Sequence, residues 1–221
     1  MSSVKDVVKD NKKILLLALG LLVACVLGLY LTKDGGLLSM NQNISDLTST
    51  KKFSAPEQVM QSGVDYKAVL KTSVGDITID LLEKETPVTV NSFLFLVENH
   101  YYEDMIFHRV IKDFVIQTGD PTGTGTGGPG YYIDNEITDR KYGKYVVGMA
   151  NAGADTNGSQ FFITSGNIST SNAQYMDGKY TIFGVVESGF AVVDSIEKVE
   201  TDEDDKPVNN VTLDSVQILE N

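Results

Sequence analysis

The sequence predicts a mainly β fold, namely a closed antiparallel barrel of six to eight strands that is capped by two α-helices and preceded by a single N-terminal transmembrane helix. Three observations lead to this prediction. Short segments with alternating polar and apolar residues recur between residues 66 and 219. Two further segments have apolar residues at helical spacing. Residues 14–31 contain no charged side chain. A closed barrel is favoured because closure removes the exposed edges of an antiparallel sheet.

Residues 14–31 are predicted to form the transmembrane helix. A helix of this length extends about 27 Å, which is close to the roughly 30 Å hydrocarbon core of a bilayer. Four lysines lie in residues 1–13. The positive-inside rule therefore places this basic segment in the cytoplasm and the chain after the helix outside it. The sequence thus predicts a single-pass protein of the cell membrane whose folded domain is extracytoplasmic.

Cys25 leaves other processing routes open. The run Leu22-Val23-Ala24-Cys25 resembles the lipobox of bacterial lipoproteins, in which the chain is cut before the cysteine and the cysteine is lipidated. The chain stays apolar after this cysteine, however, where lipoproteins usually become polar. An uncleaved signal-anchor, a lipoprotein signal and cleavage to a secreted soluble form therefore stand as alternatives.

One folded domain is predicted after a spacer. Residues 32–63 are rich in Ser, Thr, Asn, Gln and Gly, a composition that is typical of a flexible linker. The domain itself is predicted over residues 64–221. It begins with a β-hairpin, because residues 66–70 and 76–82 alternate between polar and apolar side chains on either side of a short turn.

Two helices are predicted within this domain. Thr86 is a suitable N-cap for the first helix, and Pro87 suits its first position. Ser188 is the predicted cap of the second. Each helix has an apolar stripe that is expected to pack on the sheet. The stripes consist of Val90, Phe93, Leu94 and Val97 in the first helix and of Phe190, Val193 and Ile196 in the second. The remaining strands are predicted at residues 106–117 (with a turn near Lys112), 145–149, 159–164, 180–186 and 211–219.

Composition excludes several classes of function. The formal net charge is −12, with −14 after residue 31 and +2 in residues 1–13. Nucleic acid requires a basic surface and is therefore not an expected partner. Cys25 is the only cysteine and there are two histidines, so neither an intrachain disulfide nor an ordinary structural zinc site is possible. The acidic segment 200–205 does not have the spacing of an EF-hand loop. No metal or cofactor is expected.

Arg109 and Gln117 stand out because they lie in a segment that is otherwise apolar enough for a buried strand. Burying such polar side chains is unfavourable unless they form hydrogen bonds. The pair therefore indicates a functional site on one face of a sheet.

Several segments resemble the cyclophilin family of peptidyl-prolyl cis-trans isomerases, in order and with family-like spacing, between about residues 66 and 219. The resemblance implies a closed eight-stranded barrel with two capping helices and a groove that binds an X-Pro dipeptide. With the N-terminal helix it suggests a membrane-anchored, bacterial-like form. The matching segments are residues 107–111 (FHRVI), 114–120 (FVIQTGD), 125–128 (GTGG), 149–153 (MANAG), 156–163 (TNGSQFFI), 176–179 (MDGK) and 183–184 (FG).

The resemblance also implies roles for individual residues. Arg109 matches the catalytic arginine of the family, and Phe114 and Gln117 complete the expected catalytic group. Many members have methionine, tryptophan and histidine at positions that here are Val115, Tyr175 and Tyr180, so the rim of the groove differs. The expected substrate-binding residues are His108, Val115, Ala150, Asn151, Ala152, Gln160, Phe162, Tyr175, Met176 and Tyr180.

The implied activity is acceleration of X-Pro isomerisation in exported or surface proteins. Arg109 is expected to donate to the prolyl nitrogen in the twisted transition state, while Gln117 orients the arginine. The expected partners are proline-containing polypeptides, together with the membrane through the N-terminal helix, and the protein is expected to be a monomer. Two alternatives are a non-catalytic module that binds proline-containing segments and a surface lipoprotein that acts as a chaperone.

Overall fold

The computed structural model describes residues 51–166 and 175–221 of the chain. Within these two ranges no helix is both long enough and apolar enough to cross a membrane. The predicted transmembrane segment, residues 14–31, lies outside the described residues, as does Cys25. The described residues therefore give the predicted cell-membrane localisation no support.

The described residues form a mainly β domain with nine strands and two helices. Most strands and both helices occur where alternating and helical patterns predicted them, with boundaries shifted by a few residues, but the predicted segment 106–117 is divided among three strands. In chain order they are β1 (Tyr66–Thr72), β2 (Gly75–Leu81), α1 (Pro87–Glu98), β3 (Met105–Ile106), β4 (Arg109–Ile111), β5 (Val115–Thr118), β6 (Val146–Met149), β7 (Phe161–Thr164), β8 (Ile182–Ser188), α2 (Phe190–Ile196) and β9 (Thr212–Glu220).

The prediction of a closed eight-stranded barrel is wrong. The nine strands form one antiparallel sheet in the order β3-β9-β1-β2-β8-β6-β7-β5-β4, a half-barrel that stays open between β3 and β4. These two strands follow each other along the chain, with only Phe107 and His108 between them, and they do not pair. Instead, the backbone N–H groups of Phe107 and Val110 donate to the carbonyls of Val211 and Asp205, at 2.9 and 2.8 Å. The segment before β9 therefore supplies acceptors for two backbone N–H groups at the open side of the sheet.

The two faces of the sheet carry separate apolar clusters. Alternation along β7 places Phe161 and Ile163 in the main core, and Phe162 in a smaller cluster on the opposite face. The neighbouring strand β5 behaves in the same way, with Ile116 in the main core and Val115 in the smaller cluster. The main core therefore holds the fold together, whereas the smaller cluster is available to shape a site.

Residues 53–60 pack on α1, and they belong to the predicted linker, of which only residues 51–63 are described. The Phe53 ring lies edge-on to the Phe95 ring, with 5.0 Å between centroids. The Asn91 side chain accepts from the backbone N–H groups of Val59 and Met60, both at 2.9 Å. This segment covers part of α1 and contributes to the main core.

The N-terminus of α1 is capped by a residue from a distant loop. Thr86 occupies the N-cap position, as predicted, but its side chain makes no capping hydrogen bond. The Glu136 carboxylate accepts from the backbone N–H groups of Val88 and Thr89, at 3.0 and 2.7 Å, and from the Thr89 hydroxyl at 2.7 Å. A carboxylate at this place satisfies free N–H groups and also interacts favourably with the helix dipole. At α2 the N-cap is Gly189, which has a φ of 87°, and not the predicted Ser188.

We expect Glu136→Ala to lower the free energy of unfolding by about 1 kcal/mol, because two helix N–H groups lose their acceptor. Urea denaturation of the wild type and the variant measures this difference. Asp139→Ala removes an exposed carboxylate from the same loop and is the matched control. Equal destabilisation by both substitutions would show that Glu136 does not act as a cap.

Candidate active site

One row of residues crosses four neighbouring strands on the face of the smaller cluster. Arg109 on β4 lies opposite Gln117 on β5, Gln117 lies opposite Phe162 on β7, and Phe162 lies opposite Gly148 on β6. Residues directly opposite each other in antiparallel strands project from the same face. The strand order therefore places a cation, an amide and an aromatic ring side by side.

Gly148 provides the space that the Phe162 ring occupies. A Cβ at this position would lie 2.7 Å from Cζ of Phe162 and 2.2 Å from the Tyr142 hydroxyl oxygen. Neither atom can move away easily, because Phe162 and Tyr142 are both buried and their rings are in contact, with 5.7 Å between centroids. Glycine is therefore required here by the close approach of the ring.

The row opens onto a cavity of about 420 Å³. Its apolar wall comes from the smaller cluster, in which Val115, Phe162 and Met176 are buried, and Phe114 is partly buried against them. Phe114 sits in the turn between β4 and β5, where its N–H donates to the Ile111 carbonyl at 3.1 Å. The cavity thus combines an apolar wall with the polar end of the row at Arg109.

The structure brings together all of the residues predicted for the site. His108, Arg109, Phe114, Val115, Gln117, Ala150, Asn151, Phe162, Tyr175, Met176 and Tyr180 line the cavity. Ala152 and Gln160 line an adjoining pocket that shares Gln117, Ala150 and Asn151 with the first.

Sequence reasoning missed three residues that also line the cavity, namely Thr124, Gly125 and Asp204. Thr124 and Gly125 lie in the glycine-rich loop after β5, and the resemblance to the family included Gly125 but assigned it no role. Asp204 lies in the acidic segment 200–205, which is remote in sequence from the catalytic group. A hydrogen bond between the Val110 N–H and the Asp205 carbonyl, at 2.8 Å, brings that segment to the site.

Arg109 has one ion-pair partner and one cross-strand neighbour. Its Nε lies 3.6 Å from Oδ2 of Asp205, and both side chains are partly exposed. On the other side its strand neighbour is Gln117, whose Nε2 donates to Oε1 of Gln160 at 3.0 Å. An exposed ion pair of this kind contributes little to stability, but it restricts the orientation of the guanidinium.

His108 lies in the wall as a neutral ring. Burial lowers the pKa of His108 below its ordinary value of 6.5, and the opposing effects of Asp120 and Gln160 do not restore it. An uncharged imidazole beside Arg109 does not repel the guanidinium at neutral pH.

The rim of the cavity carries two tyrosines, Tyr175 and Tyr180. Tyr175 is 59% exposed, and its ring centroid lies 6.3 Å from that of Tyr180. The Lys179 ammonium lies 4.4 Å from the Tyr175 ring centroid, a cation–π contact. Among the described residues there is no group of three or more His, Cys, Asp or Glu side chains that could hold a metal ion.

Comparison with known proteins adds independent information to this geometry. Residues 67–218 match the family model described as cyclophilin type peptidyl-prolyl cis-trans isomerase/CLD. Human peptidyl-prolyl cis-trans isomerase-like 1 is 46% identical over 149 residues, which cover 65% of this chain and 87% of that protein. The protein of the same name from Aspergillus fumigatus is 41% identical over 157 residues, covering 69% of this chain and 94% of that protein.

A solved structure is similar as well. The crystal structure of a cyclophilin type peptidyl-prolyl cis-trans isomerase from Cryptosporidium parvum, determined in the presence of the dipeptide Ala-Pro, superposes with a TM-score of 0.65 at 37% identity, covering 70% of this chain and 99% of that one. These relatives are eukaryotic, so the predicted membrane-anchored, bacterial-like form is not supported. The matched model, the relatives and the superposed structure agree on one family, and the chain belongs to the cyclophilin-type peptidyl-prolyl cis-trans isomerases.

Proposed function

We propose that this isomerase acts by donation from the Arg109 guanidinium to the prolyl nitrogen of an X-Pro bond while that bond is twisted. The observation that carries the proposal is the row in which Arg109, Gln117 and Phe162 lie side by side along one cavity. The family supports the activity itself, and the row supports the assignment of roles.

The chemistry requires little more than a well-placed donor. Rotation about a peptide bond has a barrier of ~18–20 kcal/mol because the nitrogen lone pair is conjugated with the carbonyl. At an X-Pro bond both isomers are populated, but uncatalysed exchange takes tens of seconds or longer. In the twisted state the nitrogen regains its lone pair and accepts a hydrogen bond that the planar amide cannot accept. A donor fixed beside that nitrogen therefore stabilises the transition state more than either ground state.

The apolar wall is suited to hold the proline ring while the bond rotates. Phe114, Phe162 and Met176 surround the cavity on the side away from solvent. Polar groups of the chain between β6 and β7, among them Asn151 and Gln160, lie where an extended peptide could bond to them. One part of the substrate is thus held in place while the carbonyl side turns.

The proposed substrates are proline-containing polypeptides. A related structure was determined in the presence of Ala-Pro, and this supports the same class for the present chain. The expectation that the clients are exported or surface proteins depended on the membrane anchor, and the proposed substrate class does not include this restriction.

The direct test is the rate of cis–trans exchange of an X-Pro peptide with and without the full-length chain. We expect saturable acceleration that a second proline-containing peptide inhibits competitively. Binding of the peptide without acceleration would contradict the catalytic role and favour a non-catalytic binding module.

The proposal also predicts a flat pH profile. A guanidinium stays protonated at neutral and mildly alkaline pH, and the lowered pKa of His108 keeps its ring neutral there. We therefore expect kcat/KM to change by less than about twofold between about pH 7 and about pH 9. A steep fall over this interval would instead indicate that a group titrating near neutrality transfers a proton in the reaction.

A further inference from the structure

The loop that follows β5 is organised by one buried carboxylate. Asp120 is 1% exposed. Its two oxygens accept hydrogen bonds from the backbone N–H groups of Thr122 (2.7 Å), Thr124 (3.1 Å), Gly125 (2.6 Å) and Gly127 (3.1 Å), and from the Thr122 hydroxyl (2.8 Å). Burial alone raises the pKa of the Asp120 carboxyl, but the bonds from Thr122, Gly127 and Gly125 together lower it below its ordinary value. Asp120 is therefore ionised and fixes the path of residues 122–127.

The carbonyls of this loop determine how the Gln160 amide is turned. Gly125 and Gly127 present carbonyl oxygens at 3.0 and 2.9 Å from Nε2 of Gln160. A carbonyl oxygen can only accept, so the Gln160 atom that faces it must be the NH₂ group. Both hydrogens of that group are then engaged, and its Oε1 points the other way.

Gln160 in turn determines the orientation of the Gln117 amide. Oε1 of Gln160 is an acceptor only, so Gln117 presents its NH₂ group there, at 3.0 Å. The remaining oxygen of Gln117 is its only strong acceptor. Arg109, its partner across the strands, has only donors. These hydrogen bonds thus fix which end of each amide is the NH₂ group and which is the oxygen. The oxygen of Gln117 remains available to the Arg109 side chain.

We propose that Asp120 is a positioning residue for the isomerase reaction, acting through the 122–127 loop and Gln160 on the orientation of Gln117 and thereby on Arg109. The inference rests on the function proposed above for Arg109. It assigns a mechanistic role to a buried side chain that is not among the residues lining the cavity.

Substitution of Gly127 is a second way to disrupt the chain of hydrogen bonds that runs from Asp120 through the 122–127 loop and Gln160 to Gln117. A Cβ on Gly127 would lie 2.0 Å from Oδ1 of Asp120 and 2.9 Å from the Thr122 hydroxyl oxygen. Gly127→Ala therefore pushes the loop off the carboxylate without removing the buried charge.

The test is a double-mutant cycle in the full-length chain, with kcat and KM measured on one X-Pro peptide. We expect Asp120→Asn to lower kcat about tenfold and to change KM less than about threefold, because the orientation of Gln117 and Arg109 affects the transition state more than substrate binding. In a Gln117→Ala background the same substitution should lower kcat less than about twofold, since the amide that it orients is gone. Gly127→Ala should likewise lower kcat less in the Gln117→Ala background than in the wild type. It replaces Asp120→Asn in the cycle if that variant does not fold.

Equal losses of kcat with and without Gln117 would overturn the inference, because Asp120 would then act only through general stability. An unchanged kcat in both Asp120→Asn and Gly127→Ala would overturn it as well. Arg109→Ala is measured alongside. If Arg109→Ala retains full activity, the function proposed for Arg109 is wrong. If Arg109→Ala loses most of its activity but the effects of Asp120 and Gln117 are independent, only the positioning role of Asp120 is wrong.

Discussion

Arg109→Ala is expected to lower kcat/KM for an X-Pro peptide by about 10²–10³-fold, the loss typical when one fixed donor to transition-state charge is removed. The stability of the fold should change little. Arg109 is 43% exposed at its side chain, and its ion pair with Asp205 at 3.6 Å is of the surface type. Steady-state isomerisation and thermal unfolding of the same samples therefore separate loss of catalysis from loss of folding.

Arg109→Lys is the matched variant for this substitution. Lysine keeps the positive charge but lacks the rigid, forked guanidinium, and it ends in a flexible point charge. We expect it to recover only a small part of the lost activity, on the order of tenfold above the alanine variant. A lysine variant with wild-type activity would mean that charge alone is sufficient and that the position of the fork beside Gln117 has no role.

Phe161→Ala is expected to lower the free energy of unfolding by about 3–5 kcal/mol, the range for a large ring removed from a closed core. Phe161 is fully buried. Its ring lies 5.8, 5.7 and 6.2 Å from the ring centroids of Phe93, Tyr102 and Phe183. Truncation leaves a cavity in the centre of this aromatic group, and urea denaturation measures the cost.

Phe162→Ala is the matched variant, since Phe162 is the adjacent residue on the opposite face of β7. Its ring belongs to the smaller cluster and lines the cavity. We expect a smaller loss of stability, about half that of Phe161→Ala, because the space opens onto an existing cavity. KM for the peptide should rise, because the ring pocket loses a wall. The account of the two faces is wrong if Phe161→Ala raises KM more than Phe162→Ala does.

Local patterns in the sequence were sufficient to predict most elements of the domain. Alternation with a period of two residues predicted β1 and β2 as a hairpin, and their pairing, with Leu70 opposite Ile77, confirms it. Closure of the sheet was not predictable in this way. It depends on whether β3 and β4 pair with each other, and the N–H groups of Phe107 and Val110 bond to the carbonyls of Val211 and Asp205 instead.

The proposed catalytic residues were recognisable for a similar reason. Arg109 and Gln117 are polar side chains within one short apolar segment, and a local contrast of this kind is visible in a sequence. Residues that act from a distance give no such signal. Glu136 caps α1 from 48 positions away, and Asp204 reaches the cavity through the path of a remote loop.

Asp120 shows why motif matching alone left part of the site unexplained. It belongs to a segment that resembles the family, but its five hydrogen bonds are made to a loop whose path cannot be inferred from glycine and threonine content. The direction of the Gln160 and Gln117 amides follows only once the loop carbonyls are placed. Hydrogen-bond polarity is therefore information that the structure supplies and the sequence does not.

In the proposed mechanism, Arg109 stabilises the twisted state of the X-Pro bond and not its planar forms. NMR exchange measurements on one X-Pro peptide give both the dissociation constants of the cis and trans forms and the rate of exchange on the enzyme. For Arg109→Ala we predict dissociation constants within about threefold of the wild type and an exchange rate lower by about 10²-fold or more. Weaker binding of both isomers, with an unchanged exchange rate on the enzyme, would contradict the account.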